Sequence, residues 1–80
     1  MTLSVLLFAS YADLLGRSTI ELTVEPGATV ADVVSAVRKI ADDERLPAAP
    51  LVAVNEVYAR ADQLVLPGDE VAIIPPVAGG

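Results

Sequence analysis

Two apolar segments of strand length stand near the opposite ends of this 80-residue chain, and one amphipathic helix pattern lies between them. Residues 3–8 read LSVLLF and residues 71–74 read VAII, and both segments are apolar at nearly every position. Runs of this kind are typical of central strands that are buried on both faces of a sheet. The two runs are therefore predicted to pair in parallel at the centre of one sheet, with the helix packed across one face.

The helix pattern begins after a turn signal, Glu-Pro-Gly, at residues 25–27. Thr29 is placed to cap the helix N-terminus, and Asp32 follows three residues later, which is close to a capping box. The pattern predicts a helix from Val30 to Asp42 or Asp43, because prolines follow shortly afterwards. Its apolar residues recur at the spacing of one helix face: Val30, Val33, Val34, Val37, Ile40 and Ala41.

The remaining segments supply a short helix and three further strands. Residues 9–15 (ASYADLL) predict a short helical turn that ends at a glycine. Residues 18–24 (STIELTV) alternate between apolar and polar, which predicts a half-exposed strand that pairs antiparallel with the first strand. Residues 51–54 (LVAV) and 57–59 predict a third strand and a short fourth one, and residues 60–66 are predicted to be irregular.

This order of elements predicts an α+β fold of the β-grasp, or ubiquitin-like, type. Such a fold has a mixed sheet of four or five strands, with one main helix packed on one face. The opposite face stays partly open, and an open apolar face invites a protein partner. We expect residues 1–75 to form this single domain and residues 76–80 to form a flexible tail.

The composition excludes several classes of function. The sequence contains no histidine and no cysteine, which removes thiol and imidazole chemistry, disulfides and zinc fingers. A net charge of −6 argues against nucleic-acid binding, because that requires a positive patch. No apolar run approaches the ~20 residues that cross a bilayer, and residues 1–8 lack a basic signal region. We therefore expect no membrane association and a cytoplasmic location.

The acidic side chains of the domain offer no catalytic or metal site. Residues 42–44 (DDE) and 69–70 (DE) fall at a predicted helix end and a predicted turn, where we expect the carboxylates to be solvated. Their spacing does not match a calcium-binding loop. We therefore expect no metal site and no active site within the domain.

The last residues of the sequence, PPVAGG at 75–80, have the features of a narrow, extended segment, which we call the thread. Gly79 and Gly80 carry no side chains, so they can pass through a tight channel. Pro75 and Pro76 are expected to hold the base of this thread extended. The five residues from Pro76 to Gly80 could then span about 17 Å and present the terminal carboxylate inside another protein.

A terminal carboxylate becomes reactive only after activation. It could be activated as an acyl-adenylate made from ATP, and a sulfur nucleophile could convert that adenylate into a thiocarboxylate. On this interpretation the protein is a carrier whose reactive atom belongs to Gly80. The alternative interpretation is that the two glycines are simply a small and disordered chain end.

The ending GDEVAIIPPVAGG, residues 68–80, closely resembles the small, sulfur-carrier subunits of molybdopterin synthase, the MoaD family. The resemblance extends over essentially the whole chain. It includes Phe8-Ala9 at the end of the first strand, Leu15-Gly16, the PGATV helix start at residues 26–30 and the AVN strand end at residues 53–55. The related thiamin-pathway carriers share the fold and the Gly-Gly end, but they are usually shorter and lack the two prolines.

The resemblance implies a chemistry centred on Gly80. An E1-like activating enzyme would adenylate the Gly80 carboxylate with ATP, and a sulfurtransferase would leave a thiocarboxylate there. Two such carriers would each insert a tail into the larger catalytic subunit, giving a heterotetramer that builds the dithiolene of molybdopterin. The small subunit would not be catalytic alone and would hold no cofactor stably. The inserted tail would be Pro75, Pro76, Val77, Ala78, Gly79 and Gly80.

The resemblance also indicates where a partner would bind. Interfaces of the family use apolar side chains near the first and last strands, and the matching residues are Phe8 and Ile74. An equally simple interpretation places both side chains in the core. Arg60 could pair with a partner carboxylate or could simply be solvated. Ala12-Asp13 stand where members of the family often carry Arg-Glu, so docking is expected to differ there.

Three other functions remain open at this point. The thiocarboxylate could serve thiamin thiazole synthesis, tRNA thiolation or cysteine synthesis. Gly80 could instead be joined to lysines of other proteins, as in a ubiquitin-like modifier. The domain could also be an interaction module whose tail is inert.

Overall fold

The computed structural model describes residues 1–41, 46 and 50–75, and its order of elements is the predicted one. Each strand begins and ends within one residue of the predicted bounds. The predicted end of the main helix at Asp42 or Asp43, and the tail at residues 76–80, lie outside the described residues. The elements are β1 (Thr2–Leu7), α1 (Ala9–Leu15), β2 (Thr19–Thr23), α2 (Val30–Ala41), β3 (Leu51–Val54), β4 (Val57–Tyr58) and β5 (Glu70–Ile74).

The five strands form one mixed sheet in the order β2-β1-β5-β3-β4. The first and last strands of the chain, β1 and β5, pair in parallel, which confirms the prediction from their apolar sequences. The pairs β1–β2, β3–β5 and β3–β4 are antiparallel. Because β1 and β5 run in the same direction, their carboxyl ends lie side by side, with Leu7 opposite Ile73.

The core lies between α2 and one face of this sheet. Leu3, Val5 and Leu7 of β1 are at most 2% exposed, and they pack with Val71 and Ile73 of β5. Burial of this apolar surface is the main source of stability, because the sequence has no cysteine for a disulfide. The same buried cluster also contains Tyr11, Ile20, Leu22, Ala28, Val30, Val33, Val34, Val37, Leu46, Val52, Val54 and Val65.

The outward side chains of β1 are not buried, so the prediction that this strand is covered on both faces is wrong. Thr2 and Ser4 are exposed and Leu6 is half-buried, which makes the burial of the strand alternate. In β5, likewise, Ala72 and Ile74 are only half-buried. The physical reason is that α2 covers one face of the sheet, which leaves the apolar residues of the other face in contact with solvent.

A capping box begins α2, as the sequence predicts. The backbone N–H of Thr29 donates to Asp32 Oδ2 at 2.9 Å, and the backbone N–H of Asp32 donates to Thr29 Oγ1 at 3.4 Å. The Val33 N–H donates to the Thr29 carbonyl oxygen at 3.1 Å. The last of these is the first hydrogen bond within the helix, whereas the N–H groups of Thr29 and Asp32, which the helix cannot satisfy internally, both find side-chain acceptors.

Replacing Thr29 with alanine is expected to lower the free energy of unfolding by about 1 kcal/mol, because the Asp32 N–H loses its acceptor. Ser35→Ala, on the exposed face of the same helix, is the matched control and is expected to change that free energy by less than about 0.5 kcal/mol. Urea unfolding followed by circular dichroism measures both values. Equal stabilities of the two variants would contradict the capping role of Thr29.

The apolar stripe of α2 is buried along most of its length but not at its end. Val30, Val33, Val34 and Val37 are buried, whereas Ile40 is 47% exposed. At about 100° per residue, Ile40 lies roughly 80° around the helix from Val30 and therefore at the margin of the stripe. The prediction that Ile40 belongs to the buried face is wrong for this geometric reason.

The short helix α1 ends at Gly16, as predicted. The φ of Gly16 is 74°, a left-handed conformation that glycine adopts without strain. The helix contributes Tyr11 to the core, and burial raises the pKa of its phenol, so the fold favours the neutral form. Within the part of the chain that the structure describes, no helix is long and apolar enough to cross a bilayer.

Candidate functional site

The sheet face that α2 leaves uncovered carries a depression of about 330 Å³. Six of the residues that line it are apolar and two are glutamates. An apolar concavity of this kind is typical of a binding surface. We refer to its lining residues together as the open face: Leu6, Phe8, Ala53, Glu56, Tyr58, Glu70, Ala72 and Ile74.

Two alanines between larger side chains make the open face concave. The strand registers place Leu6 of β1 beside Ala72 of β5, and Ala72 beside Ala53 of β3. Ala53 in turn pairs with Tyr58 of β4, whose side chain is largely exposed. The row of side chains across the sheet is therefore large, small, small and large. The alanines form a floor on which a partner's apolar side chains can be buried.

Phe8 and Ile74, the two apolar contacts that the family resemblance suggests, both line the open face. Phe8 has an extended backbone between β1 and α1, and it is 47% exposed. Ile74 is half-buried and ends β5. Neither side chain belongs to the buried core, so the simple core interpretation does not hold for them. Pro75 follows Ile74 directly and is the last residue that the structure describes at this end of the chain.

Two glutamates border the apolar floor, Glu56 in the β3–β4 turn and Glu70 at the start of β5. The turn consists of Asn55 and Glu56, whose φ angles of 51° and 72° are both left-handed. This is the conformation that a two-residue type I′ hairpin requires, and asparagine adopts it more readily than most residues. Both glutamates are exposed, so a partner would meet negative charge beside the apolar floor.

Asn55 joins this turn to the start of β5. Its Nδ2 donates to Asp69 Oδ1 at 2.9 Å, and its Oδ1 accepts the Glu70 backbone N–H at 3.1 Å. Asp69 Oδ2 accepts the Leu66 backbone N–H at 2.8 Å. These hydrogen bonds hold the two glutamates of the open face in a fixed relation. From the sequence, Asn55 is recognisable only as the residue at the end of the third strand, because its partners lie 14 and 15 residues away along the chain.

Asn55→Gly is expected to lower the free energy of unfolding by about 1–2 kcal/mol, because glycine keeps the left-handed backbone but removes both side-chain hydrogen bonds. Asn55→Ala removes the same hydrogen bonds and also strains the backbone, so this variant is expected to be the less stable of the two. Guanidinium denaturation of both variants measures the difference. A glycine variant as stable as the unmodified protein would contradict the role of the side chain.

Arg60 is not among the residues that line the open face. Its Nε is 3.4 Å from Asp62 Oδ1, and the two side chains are 86% and 75% exposed. A pair this exposed contributes little to stability, so Arg60 could exchange Asp62 for another carboxylate. A partner contact through Arg60 stays a prediction.

The two residues that depart from the family pattern both belong to α1. Ala12 is half-buried against the core and Asp13 is exposed.

The described residues hold no group of three or more acidic side chains that could bind a metal ion. The proposed reactive residue, Gly80, and the tail residues Pro76, Val77, Ala78 and Gly79 lie outside the described residues. What the structure does place is the base of the tail, since Ile74 and Pro75 stand at the end of the central strand β5.

Comparisons with a family model and with known proteins agree on the family of this chain. The sequence model of the ThiS family matches residues 5–80. The chain is 34% identical over 79 residues to the molybdopterin synthase sulfur carrier subunit of Arabidopsis thaliana, covering 98% of this chain and 82% of that protein. It is also 34% identical over 83 residues to small archaeal modifier protein 1 of Haloferax volcanii, covering 92% of this chain and 95% of that protein.

Solved structures agree with the sequence comparisons. The crystal structure of the Haloferax volcanii modifier protein matches with a TM-score of 0.87 at 30% identity, over 100% of both chains. A putative molybdopterin converting factor subunit 1 from Pyrococcus furiosus matches with a TM-score of 0.82 at 28% identity, covering 96% of this chain and 99% of that one. The predicted β-grasp fold is thereby confirmed, and the chain belongs to the ThiS family.

Proposed function

We propose that this protein is the sulfur-carrier subunit of a molybdopterin synthase and that Gly80 carries the sulfur. The observation that carries this proposal is the family match, which extends to residue 80 and so includes Gly79 and Gly80. The similarity to a molybdopterin synthase sulfur carrier subunit over 98% of the chain supports the same function. A narrow end of two glycines, two residues after a proline pair, also suits a tail that enters another protein.

The proposed chemistry takes place at the Gly80 carboxylate. In the activating enzyme, a carboxylate oxygen attacks the α-phosphate of ATP, pyrophosphate leaves, and an acyl-adenylate forms. Sulfide-level sulfur supplied by a sulfurtransferase then attacks the carbonyl carbon, the new C–S bond replaces the C–O bond to AMP, and AMP leaves with the electron pair of that bond, so that a thiocarboxylate remains. Gly80 has no side chain to hinder attack at its carbonyl carbon. ATP is consumed by the activating enzyme, so the carrier itself needs no bound cofactor.

The folded domain has the task of placing this tail in a partner. β5 lies at the centre of the sheet, where it pairs with β1 as far as Ile73 and with β3 as far as Ile74. A partner that covers the open face, with Phe8 and Ile74 as contacts, would receive the tail immediately beside that contact. The apolar floor would supply affinity, and the tail, from Pro75 through Pro76, Val77, Ala78 and Gly79 to Gly80, would supply the reactive group.

Three partners follow from this proposal: an adenylating enzyme, a sulfurtransferase and the large catalytic subunit, with which two carriers would form a heterotetramer. The carrier has a net charge of −6, and Glu56 and Glu70 border its open face. Complementary charge speeds encounter and selects among partners, so the partner surfaces are expected to be basic. Groups that bind the phosphate of the pterin substrate would then belong to the large subunit.

A second candidate function is covalent modification of other proteins through Gly80. The observation that favours it is the similarity to small archaeal modifier protein 1, which is 34% identical over 92% of this chain. The two functions share the adenylation of Gly80 and differ in what attacks the activated carbonyl. Sulfur gives a carrier, whereas a lysine amine of another protein gives an isopeptide-linked conjugate.

Reconstitution with the large subunit separates these two functions. The thiocarboxylated protein is mixed with the catalytic subunit of a molybdopterin synthase and a cyclic pyranopterin monophosphate, and formation of the dithiolene is measured. We expect product with the thiocarboxylate form and none with the carboxylate form. Conjugates with other proteins in the presence of ATP and the activating enzyme, without dithiolene product, would favour the modifier function.

A further inference from the structure

Lys39 carries the only side-chain amine in the sequence, although the chain has five basic residues. The guanidinium group of arginine stays protonated in proteins and is not a nucleophile toward an activated carboxyl group. An amide bond to a side chain of this protein can therefore form at Lys39 alone. The other four basic residues are Arg17, Arg38, Arg45 and Arg60.

The α-amino group of Met1 is the other amine, and it is engaged in the sheet. It donates to the Val24 carbonyl oxygen at 2.8 Å and is partly buried. In addition, the Val24 N–H donates to the Met1 carbonyl oxygen at 2.8 Å, so both backbone groups of Met1 are held by Val24. Attack by this amine on a bulky acyl donor would require these contacts to open.

Lys39 lies in the last turn of α2 and is exposed. Its neighbour Arg38 is half-buried and directs its Nε to the Leu46 carbonyl oxygen at 3.0 Å. α2 packs on the core face of the sheet, whereas the open face lies on the opposite side. A copy whose open face is covered by a partner therefore still presents Lys39 to solvent.

We propose that Lys39 is the acceptor when this protein is conjugated to a second copy of itself. The inference rests on the proposed activation of Gly80 as an acyl-adenylate. The neutral Nζ of Lys39 in one copy attacks the Gly80 carbonyl carbon of the other. The new C–N bond replaces the C–O bond to AMP, AMP leaves with the electron pair of that bond, and the nitrogen releases a proton to solvent. No oxidation or reduction takes place.

The use of Gly80 as donor and Lys39 as acceptor determines the architecture of the conjugates. Each copy offers one donor, Gly80, and one exposed acceptor, Lys39, so the conjugates are chains without branches. Because Lys39 lies on the side of the domain opposite the open face, a copy that is linked through its Lys39 keeps its open face accessible. Sulfur transfer would compete with this reaction for the same adenylate, so an ample sulfur supply is expected to suppress it.

The test uses the full-length protein with ATP, magnesium and a competent activating enzyme, in the absence of a sulfur source. We expect a covalent dimer with the mass of two chains less one water, and tandem mass spectrometry should locate the isopeptide between Gly80 and Lys39. Lys39→Arg keeps the charge and is expected to abolish the dimer. ATP–pyrophosphate exchange, which reports adenylate formation, is expected to be unchanged in this variant.

The double variant Lys39→Arg with Arg17→Lys is the matched control, because Arg17 is exposed and has no proposed role in binding. The dimer is expected to return through the introduced amine. Persistence of the dimer in Lys39→Arg alone, failure of the double variant to restore it, or pyrophosphate exchange without any dimer in the unmodified protein would each overturn the inference. Absence of pyrophosphate exchange would instead contradict the proposed function.

Discussion

Deletion of Gly80 is expected to abolish thiocarboxylate formation while leaving the fold unchanged. The reacting carboxylate would belong to Gly79, one residue short of the site that the activating enzyme presents to ATP. A misplacement of this size removes the alignment on which an in-line reaction depends. The core extends only to Ile73 of β5, so loss of the last residue should not alter the unfolding curve. Intact mass spectrometry after activation measures the effect directly.

Two further variants control this experiment. Addition of one alanine after Gly80 is expected to abolish the reaction in the same way, since it also displaces the carboxylate and adds a side chain to the thread. Val77→Ala changes the tail but keeps its length and both glycines, and it is expected to remain active. A carrier with the added alanine that still forms the thiocarboxylate would show that the position of Gly80 is not what the chemistry requires.

Ala72→Arg is expected to weaken binding to the large catalytic subunit by at least about 100-fold, or about 2.7 kcal/mol. Ala72 lies in the floor of the open face between Leu6 and Ala53. An arginine there would fill the depression and place a positive charge against a surface that we expect to be basic. Isothermal titration calorimetry measures the dissociation constant.

Ser35→Arg is the matched control for this variant, because it makes the same change of charge on the exposed face of α2. Its dissociation constant is expected to stay within about threefold of the unmodified value, as for other changes outside an interface. Circular dichroism verifies that both variants are folded. Strong binding by Ala72→Arg together with weak binding by Ser35→Arg would place the partner on the helix side instead.

Much of the fold is predictable from the sequence because the local signals agree with one another. The alternation in residues 18–24, the Thr29–Asp32 capping box and Gly16 at the end of α1 each predict the element that forms. The parallel pairing of β1 with β5 follows from two apolar runs at the ends of the chain. Consistent signals at several levels are what a sequence with one well-defined fold is expected to have.

The errors concern which side of an element is covered, and this depends on tertiary packing. The apolar sequence of β1 does not reveal that only one of its faces meets a helix, so Leu6 is half-buried rather than buried. Ile40 fits the apolar spacing of α2 but lies at the margin of its buried stripe. The predicted packing of the helix on one face, with the other face open, already agrees with a half-buried Leu6, whereas the exposure of Ile40 depends on how α2 packs on the sheet.

The candidate site, too, has one part that the sequence predicts and one part that depends on tertiary contacts. The tail and Gly80 are recognisable from the sequence, because a glycine pair after two prolines is a local pattern. The concavity of the open face depends on the register that places Ala53 beside Ala72, and the support of its acidic border depends on Asn55 reaching Asp69. Such contacts join residues that are far apart in the chain, and no local pattern predicts them.

The central claim is that Gly80 becomes a thiocarboxylate, and intact mass spectrometry tests it most directly. The protein is incubated with ATP, a competent activating enzyme and a sulfur source, and the Gly80-deleted chain is treated in parallel. We predict a mass gain equal to the replacement of one oxygen by sulfur, in the unmodified chain alone. No mass gain with an activating enzyme that modifies another carrier, or an equal gain in the deleted chain, would contradict the account.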